Sequence, residues 1–167
     1  MNYWKIIQGK KPVLLLADYN HPHIKNGKLK QREEGTAEIV KQICQKHSLW
    51  GITAKDIITE GKHSYEKIIN SYWENNLQAL INIRAQEKKT TRPIKFFPNE
   101  YFQQDFPYAF EQYTKTDKAQ NKLSSFTKAH IPTAVVCIEK KVRKNFEMEN
   151  NPAAEYLDDL ITKILEN

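Results

Sequence analysis

Long apolar runs are missing from this chain. Even a run as long as any here, Val13 to Ala17, is far too short to span a bilayer. The opening Met1-Asn2-Tyr3-Trp4-Lys5 lacks the apolar stretch of a secretion signal. Glycine and proline are scarce, 5 and 7 of 167 residues, which excludes collagen-like and low-complexity architecture. No glycine-rich phosphate loop or nucleophile elbow is present, and no RNA-recognition, zinc-knuckle or helix-turn-helix pattern. The two cysteines, Cys44 and Cys137, sit in apolar contexts and form no Cys-x-x-Cys pair. They read as buried thiols, and a reducing, cytoplasmic location is the expectation.

What is present is bulk. Hydrophobic residues make up 40% and aromatics 11%, enough for one core, so a single domain over residues 1–167 is expected. Lysine and arginine total 26 against 20 acidic residues, a net charge of +6. The positive residues are spread along the chain, as solvated faces usually are, so charge alone names no partner.

Periodicity gives the outline of a fold. Pro12 to Asp18 is a run apolar on both faces, as expected of a central strand in a covered parallel sheet. Tyr19 to Gly35 reads as a loop. Thr36 then opens a helix with Ile39, Val40, Ile43 and Cys44 on one face. Trp50 to Ala54 is strand-like, and Ile57 to Thr59 extends it or turns. Tyr65, Ile68, Ile69, Tyr72, Trp73, Leu77 and Leu80 recur at helical spacing behind Ser64, and Leu80 to Arg84 reads as a strand. The alternation predicts an α/β class: a three-layer α/β/α domain on a mixed, mostly parallel sheet. Ile94 to Phe97 is a candidate edge strand. The aromatics from Phe96 to Tyr113 have no clean period, so about 88–130 is expected to be an irregular region or lid. Ile131 to Glu139 is a second β-branched strand, and Asn151-Pro152 opens a terminal amphipathic helix.

Ligands in open α/β sheets gather beyond the carboxyl ends of strands. There this chain places His21, His23, Glu33 and Glu34 after the first strand, Arg84 after the third, and Glu139 and Arg143 after the last. Imidazole nitrogen plus carboxylate oxygen is the minimum for a divalent metal, and a catalytic zinc takes three protein ligands and one water. A distal Glu139 would serve as general base on that water, and an arginine would clamp a substrate carboxylate. Solvent-exposed histidines beside a proline are the plain alternative.

His21 to Thr36, reading His-Pro-His-Ile-Lys-Asn-Gly-Lys-Leu-Lys-Gln-Arg-Glu-Glu-Gly-Thr, resembles the first metal loop of the N-formylglutamate amidohydrolase-like family. Lys25 stands where arginine is usual; Gly27, Lys30, Glu33 and Thr36 keep the spacing. Val136 to Arg143 resembles the same family's late strand exit. The resemblance covers about half the chain, at both ends. It implies a phosphorylase/hydrolase-like fold and a zinc site on His21 and Glu33, with His23 or His63 as third ligand. Glu139 would be the catalytic base, and Arg143, Lys30 and Arg84 would bind substrate. At the place of the family's remaining metal histidine, this chain reads Ile81-Asn82-Ile83-Arg84-Ala85. A guanidinium has no lone pair to ligate a cation.

Three functions follow as expectations. The first is zinc-dependent hydrolysis of an N-acyl amino acid or peptide-like amide bearing a carboxylate. The second is a degenerate relative in which Arg84 is a fixed cation and the protein binds an anionic small molecule or protein partner. The third, a basic nucleic-acid-binding module, would show binding that weakens steeply with salt.

Overall fold

The computed structural model describes residues 3–73, 76–86, 92–109 and 130–167. The central sheet has six strands: β1 (Trp4–Ile7), β2 (Lys11–Ala17), β5 (Leu49–Ala54), β7 (Ala79–Gln86), β8 (Ile94–Pro98) and β9 (Thr133–Glu139). Their order is β1-β5-β2-β7-β9-β8, with the four inner strands parallel and both edge strands antiparallel. This is the mixed, mostly parallel α/β sheet that the alternation predicts.

The inner strands are apolar on both faces because helices cover both. Val13, Leu15, Ile81, Ile83, Ala134 and Val136 pack against α1 (Thr36–His47) and α5 (Pro152–Glu166). Leu14, Leu16, Ile52 and Leu80 form a second cluster with Ile69 of α2 (Glu66–Trp73). The terminal helix starts as expected: Asn151 Oδ1 accepts from the amides of Ala153 and Ala154 at 3.0 and 3.1 Å. Ser64 Oγ likewise accepts from Glu66 N–H at 3.1 Å at the start of α2. Further short helices include α3 (Glu100–Asp105) and α4 (Lys140–Lys144).

Three expectations change. The helical pattern carried through Leu77 and Leu80 outruns the helix, since Leu80 is fully buried in β7. Its spacing from Trp73 is coincidental with a helical turn. The aromatic stretch resolves, where it is described, into α3 on the sheet, with Phe102 and Phe106 in the core and Phe96 edge-on to Phe102. The rest of that region, 87–91 and 110–129, lies outside the described residues.

The third change matters most for the site. The expected loop from Tyr19 to Gly35 contains β3 (His23–Lys25) and β4 (Lys28–Lys30), which form a small sheet with β6 (Ile58–Thr59) in the order β4-β3-β6. Asn26 and Gly27 join β3 to β4 with φ of 51° and 70°, the two left-handed residues of a type I′ hairpin turn.

Candidate functional site

The parallel strands β2, β7 and β9 all end on one side, where a cleft of about 620 Å³ opens. The small sheet forms one wall. Cross-strand partners share a face, so the register His23↔Lys30 and Lys25↔Lys28 puts those four side chains on one side and Ile24 and Leu29 on the other. His23, Lys25 and Lys30 line the cleft, so the basic face is the inner one.

At the floor, Arg84 near the end of β7 meets Glu33. Its Nε lies 3.2 and 3.1 Å from the two carboxylate oxygens, and its Nη2 lies 2.9 Å from Oε1. Ala85 N–H donates to the other oxygen, Oε2, at 2.8 Å. Both oxygens of Glu33 are thereby spent on protein donors. A second carboxylate, Asp18 at the end of β2, lies 3.9 Å from Arg84 Nε. Asp18 is buried and its Oδ1 has no hydrogen-bond partner. Burial pushes its carboxyl above the usual range; Arg84 opposes that shift, and the charge of Glu33 adds to it. Burial likewise works against the Arg84 cation, but Asp18 and Glu33 outweigh it and hold the guanidinium charged.

Tyr19 completes the floor. His23 stacks on its ring with centroids 3.8 Å apart and planes 6° from parallel. The Arg84 guanidinium carbon lies 4.1 Å from the same centroid. Two groups that close cannot share a face, so Tyr19 is held between imidazole and guanidinium. Its hydroxyl donates to Glu60 at 3.0 Å, and Lys25 pairs with Glu60 at 3.3 Å. Burial pushes the phenol well above its ordinary pKa and lowers that of His23, so Tyr19 is a neutral donor and His23 favours neutral imidazole.

Arg143 in α4 lies under the adjoining wall. Its Nε donates to Glu34 O at 2.8 Å and its Nη1 to Ile138 O. Gly35 permits this approach. It sits at the N-cap of α1 with φ 86°, and a Cβ there would lie 3.2 Å from Arg143 Cβ. Thr36, the first residue of α1, donates its hydroxyl to Glu33 O at 2.8 Å and so fixes the backbone of the Arg84 partner.

The structure therefore gathers Glu33, His23, Lys30, Arg84 and Arg143 around one cleft. It does not gather the remaining candidates. His21 lies in the turn before β3 and is not part of the cleft lining. His63 accepts Thr59 N–H of β6 through Nδ1 at 2.9 Å, stacks on Tyr3 at 3.8 Å and does not line the cleft. Glu139 ends β9 one residue before Lys140; Lys140 lines the cleft and Glu139 does not. Among the described residues no group of three or more His, Cys, Asp or Glu is placed to hold a metal ion. The donor chemistry agrees. Glu33 offers no free oxygen, and the guanidinium of Arg84 stands among the carboxylates where a cation would. The implied zinc does not fit these residues.

Sequence reasoning missed Asp18 and Tyr19, and also Asn82, whose side chain hydrogen-bonds Asp18. Their signal was positional: Asp18-Tyr19 ends a central strand, and Asn82 is a buried amide inside an apolar run. The cysteines are packing groups. Burial raises Cys44 to about 12 and Cys137 to about 11, which keeps both as thiols. Cys44 fits the expected core role, whereas Cys137 is only half-buried beside Arg84 across the β7–β9 ladder.

This fold is an α/β domain built on a mixed, mostly parallel central sheet. Among solved structures the chain is similar to a bacteriophage poly-gamma-glutamate hydrolase, with a TM-score of 0.52 and 10% sequence identity over 98% of this chain and 86% of that one. No family model matches the chain, the N-formylglutamate amidohydrolase-like family included, and no curated protein matches it. Among the described residues no helix is long and apolar enough to cross a membrane.

Proposed function

We propose that the cleft binds a carboxylate-rich ligand, a small polyacid or an acidic peptide-like chain, with Arg84 in place of a catalytic metal. The observation that carries this reading is a charge imbalance. Glu33 is taken by Arg84, and Glu34 pairs with Arg32 at 3.6 Å. Lys30, Lys140 and Arg143 line the same cleft with no carboxylate partner among the described residues. Arg143 is the most demanding of them, since its side chain belongs to a residue only 7% exposed and its two hydrogen bonds go to neutral carbonyls. Burial disfavours this cation, and Glu33 and Glu34 offset that only from beyond ion-pair distance; a ligand carboxylate would supply a direct partner.

The role of each residue follows. Arg84 neutralises Glu33 and moderates the charge of Asp18 from within, so that the floor does not repel an anion. Arg143 takes a carboxylate, and Lys30 and Lys140 hold further negative charge at the rim. The similarity to a protein named for hydrolysing poly-gamma-glutamate supports a polyglutamate-like ligand as the first probe. The two free thiols support a reducing, cytoplasmic setting for this activity.

Fluorescence anisotropy of labelled oligo-γ-glutamate in EDTA tests this reading. Binding that weakens with salt, and that falls about tenfold in Lys30→Glu or Lys140→Glu, is expected. Absence of binding to oligoglutamate and to citrate alike would overturn it. Parallel samples freed of EDTA, assayed for released amine with and without added zinc, read the hydrolytic alternative, for which no turnover is expected.

A further inference from the structure

The edge of the small sheet names the ligand more closely. We propose that β4 pairs along its free edge with an extended peptide in which acidic and apolar residues alternate. This rests on the anion-binding reading of the cleft.

The hairpin geometry sets which groups are available. In an antiparallel ladder, alternate residues turn their N–H and C=O to opposite sides. Ile24 O accepts from Glu60 N–H at 2.9 Å, so the main chain of Ile24 is turned toward β6. Leu29 lies directly opposite Ile24 in the register, so its N–H and C=O are turned the other way, to the outside. No described strand pairs there, because β4 is the edge of its sheet, and all three of its residues are exposed. The strand then runs through Gln31 and Arg32 directly into the cleft wall.

The side chains set the sequence such a strand would need. Lys28 and Lys30 lie on the inner face, roughly 7 Å apart as alternate residues of a strand. Leu29 lies on the outer face and is 68% exposed. An added strand repeats this alternation, because its side chains fall on the same two faces. Its residue opposite Leu29 is then apolar, and its two neighbours, opposite Lys28 and Lys30, carry carboxylates. Lysines on an edge strand repel neutral or basic strands from pairing there. The same lysines admit an acidic strand, which is discrimination by charge.

The test uses a labelled nine-residue peptide of alternating Glu and Val, a shuffled peptide of equal composition with the glutamates in one block, and labelled oligo-γ-glutamate. The alternating peptide is expected to bind about tenfold tighter than the shuffled one. N-methylation separates main-chain pairing from charge. Methylated valines abolish the gain for an antiparallel strand and methylated glutamates abolish it for a parallel one. Lys28→Glu/Lys30→Glu, both exposed positions, removes binding of the alternating peptide while the melting temperature stays unchanged. Equal affinity for alternating and shuffled peptides, or tolerance of both methylation patterns, overturns the edge-pairing proposal. If oligoglutamate or citrate still binds in that case, the anion-binding reading stands without it; if both fail as well, that reading has failed.

Discussion

The two faces of β7 make different uses of one strand. Toward α1 and α5 the strand presents Ile81 and Ile83, fully buried in an apolar cluster. Toward the other face it presents Leu80, Asn82 and Arg84, passing from core to charge within five residues. The first face is stabilised by area removed from water, which tolerates many partners. The second holds ions that stay buried only because each has a specific counterpart: Arg84 for Glu33, Tyr19 over Arg84, Asp18 beside both. A truncation in the apolar packing costs area and leaves a cavity but strands no charge. The charged row cannot lose one member without exposing the cost of another.

The largest effect should therefore come from the charged face. Arg84→Ala strips Glu33 and Asp18 of their cation and should cost about 4 kcal/mol in urea denaturation. Adding Glu33→Gln should recover part of that loss, because it removes one of the stranded charges. A cost below that of a surface substitution would mean that the row is not coupled.

On the apolar face, Leu160→Ala in α5 should cost about 3 kcal/mol through transfer and cavity terms. That loss should be independent of pH and salt, unlike the loss at Arg84. A clear salt dependence at Leu160 would erase the distinction between the faces.

Asp18 gives the smallest effect, and its sign depends on pH. Burial raises its folded pKa above the ordinary 3.8, so the native state binds the proton more tightly than the unfolded chain. The stability this provides is present below about 3.8 and is lost as pH rises through the raised value. Asp18→Asn does not titrate. Its stability relative to the wild type should therefore climb as pH rises from the ordinary carboxylate range toward neutrality, in paired thermal melts. A difference that stays flat with pH would mean that Asp18 titrates normally.

The sequence carried the apolar face almost completely. Its β-branched strands, the Thr36 helix and the Asn151-Pro152 start are local signals, and each lies where periodicity placed it. The charged face was legible only as a list of residues near strand ends. That Glu33 would turn onto Arg84 depends on the crossover of α1, and no local pattern encodes that pairing. Asn26-Gly27 is a local hairpin signal, and a reading centred on histidine ligands passed over it. The resemblance implied His21 as a ligand with His63 as a candidate third, but His63 bonds Thr59 and stacks on Tyr3, and neither histidine lines the cleft.

The central claim is that Arg84 is the resident cation of this site. Elemental analysis of untagged protein, after incubation with zinc and desalting, tests it most directly when wild type and Arg84→His are compared. The account predicts no stoichiometric metal in the wild type, and a gain of metal in Arg84→His as imidazole replaces guanidinium beside Asp18 and Glu33. Near-stoichiometric zinc in the wild type, lost on His23→Ala, would contradict it.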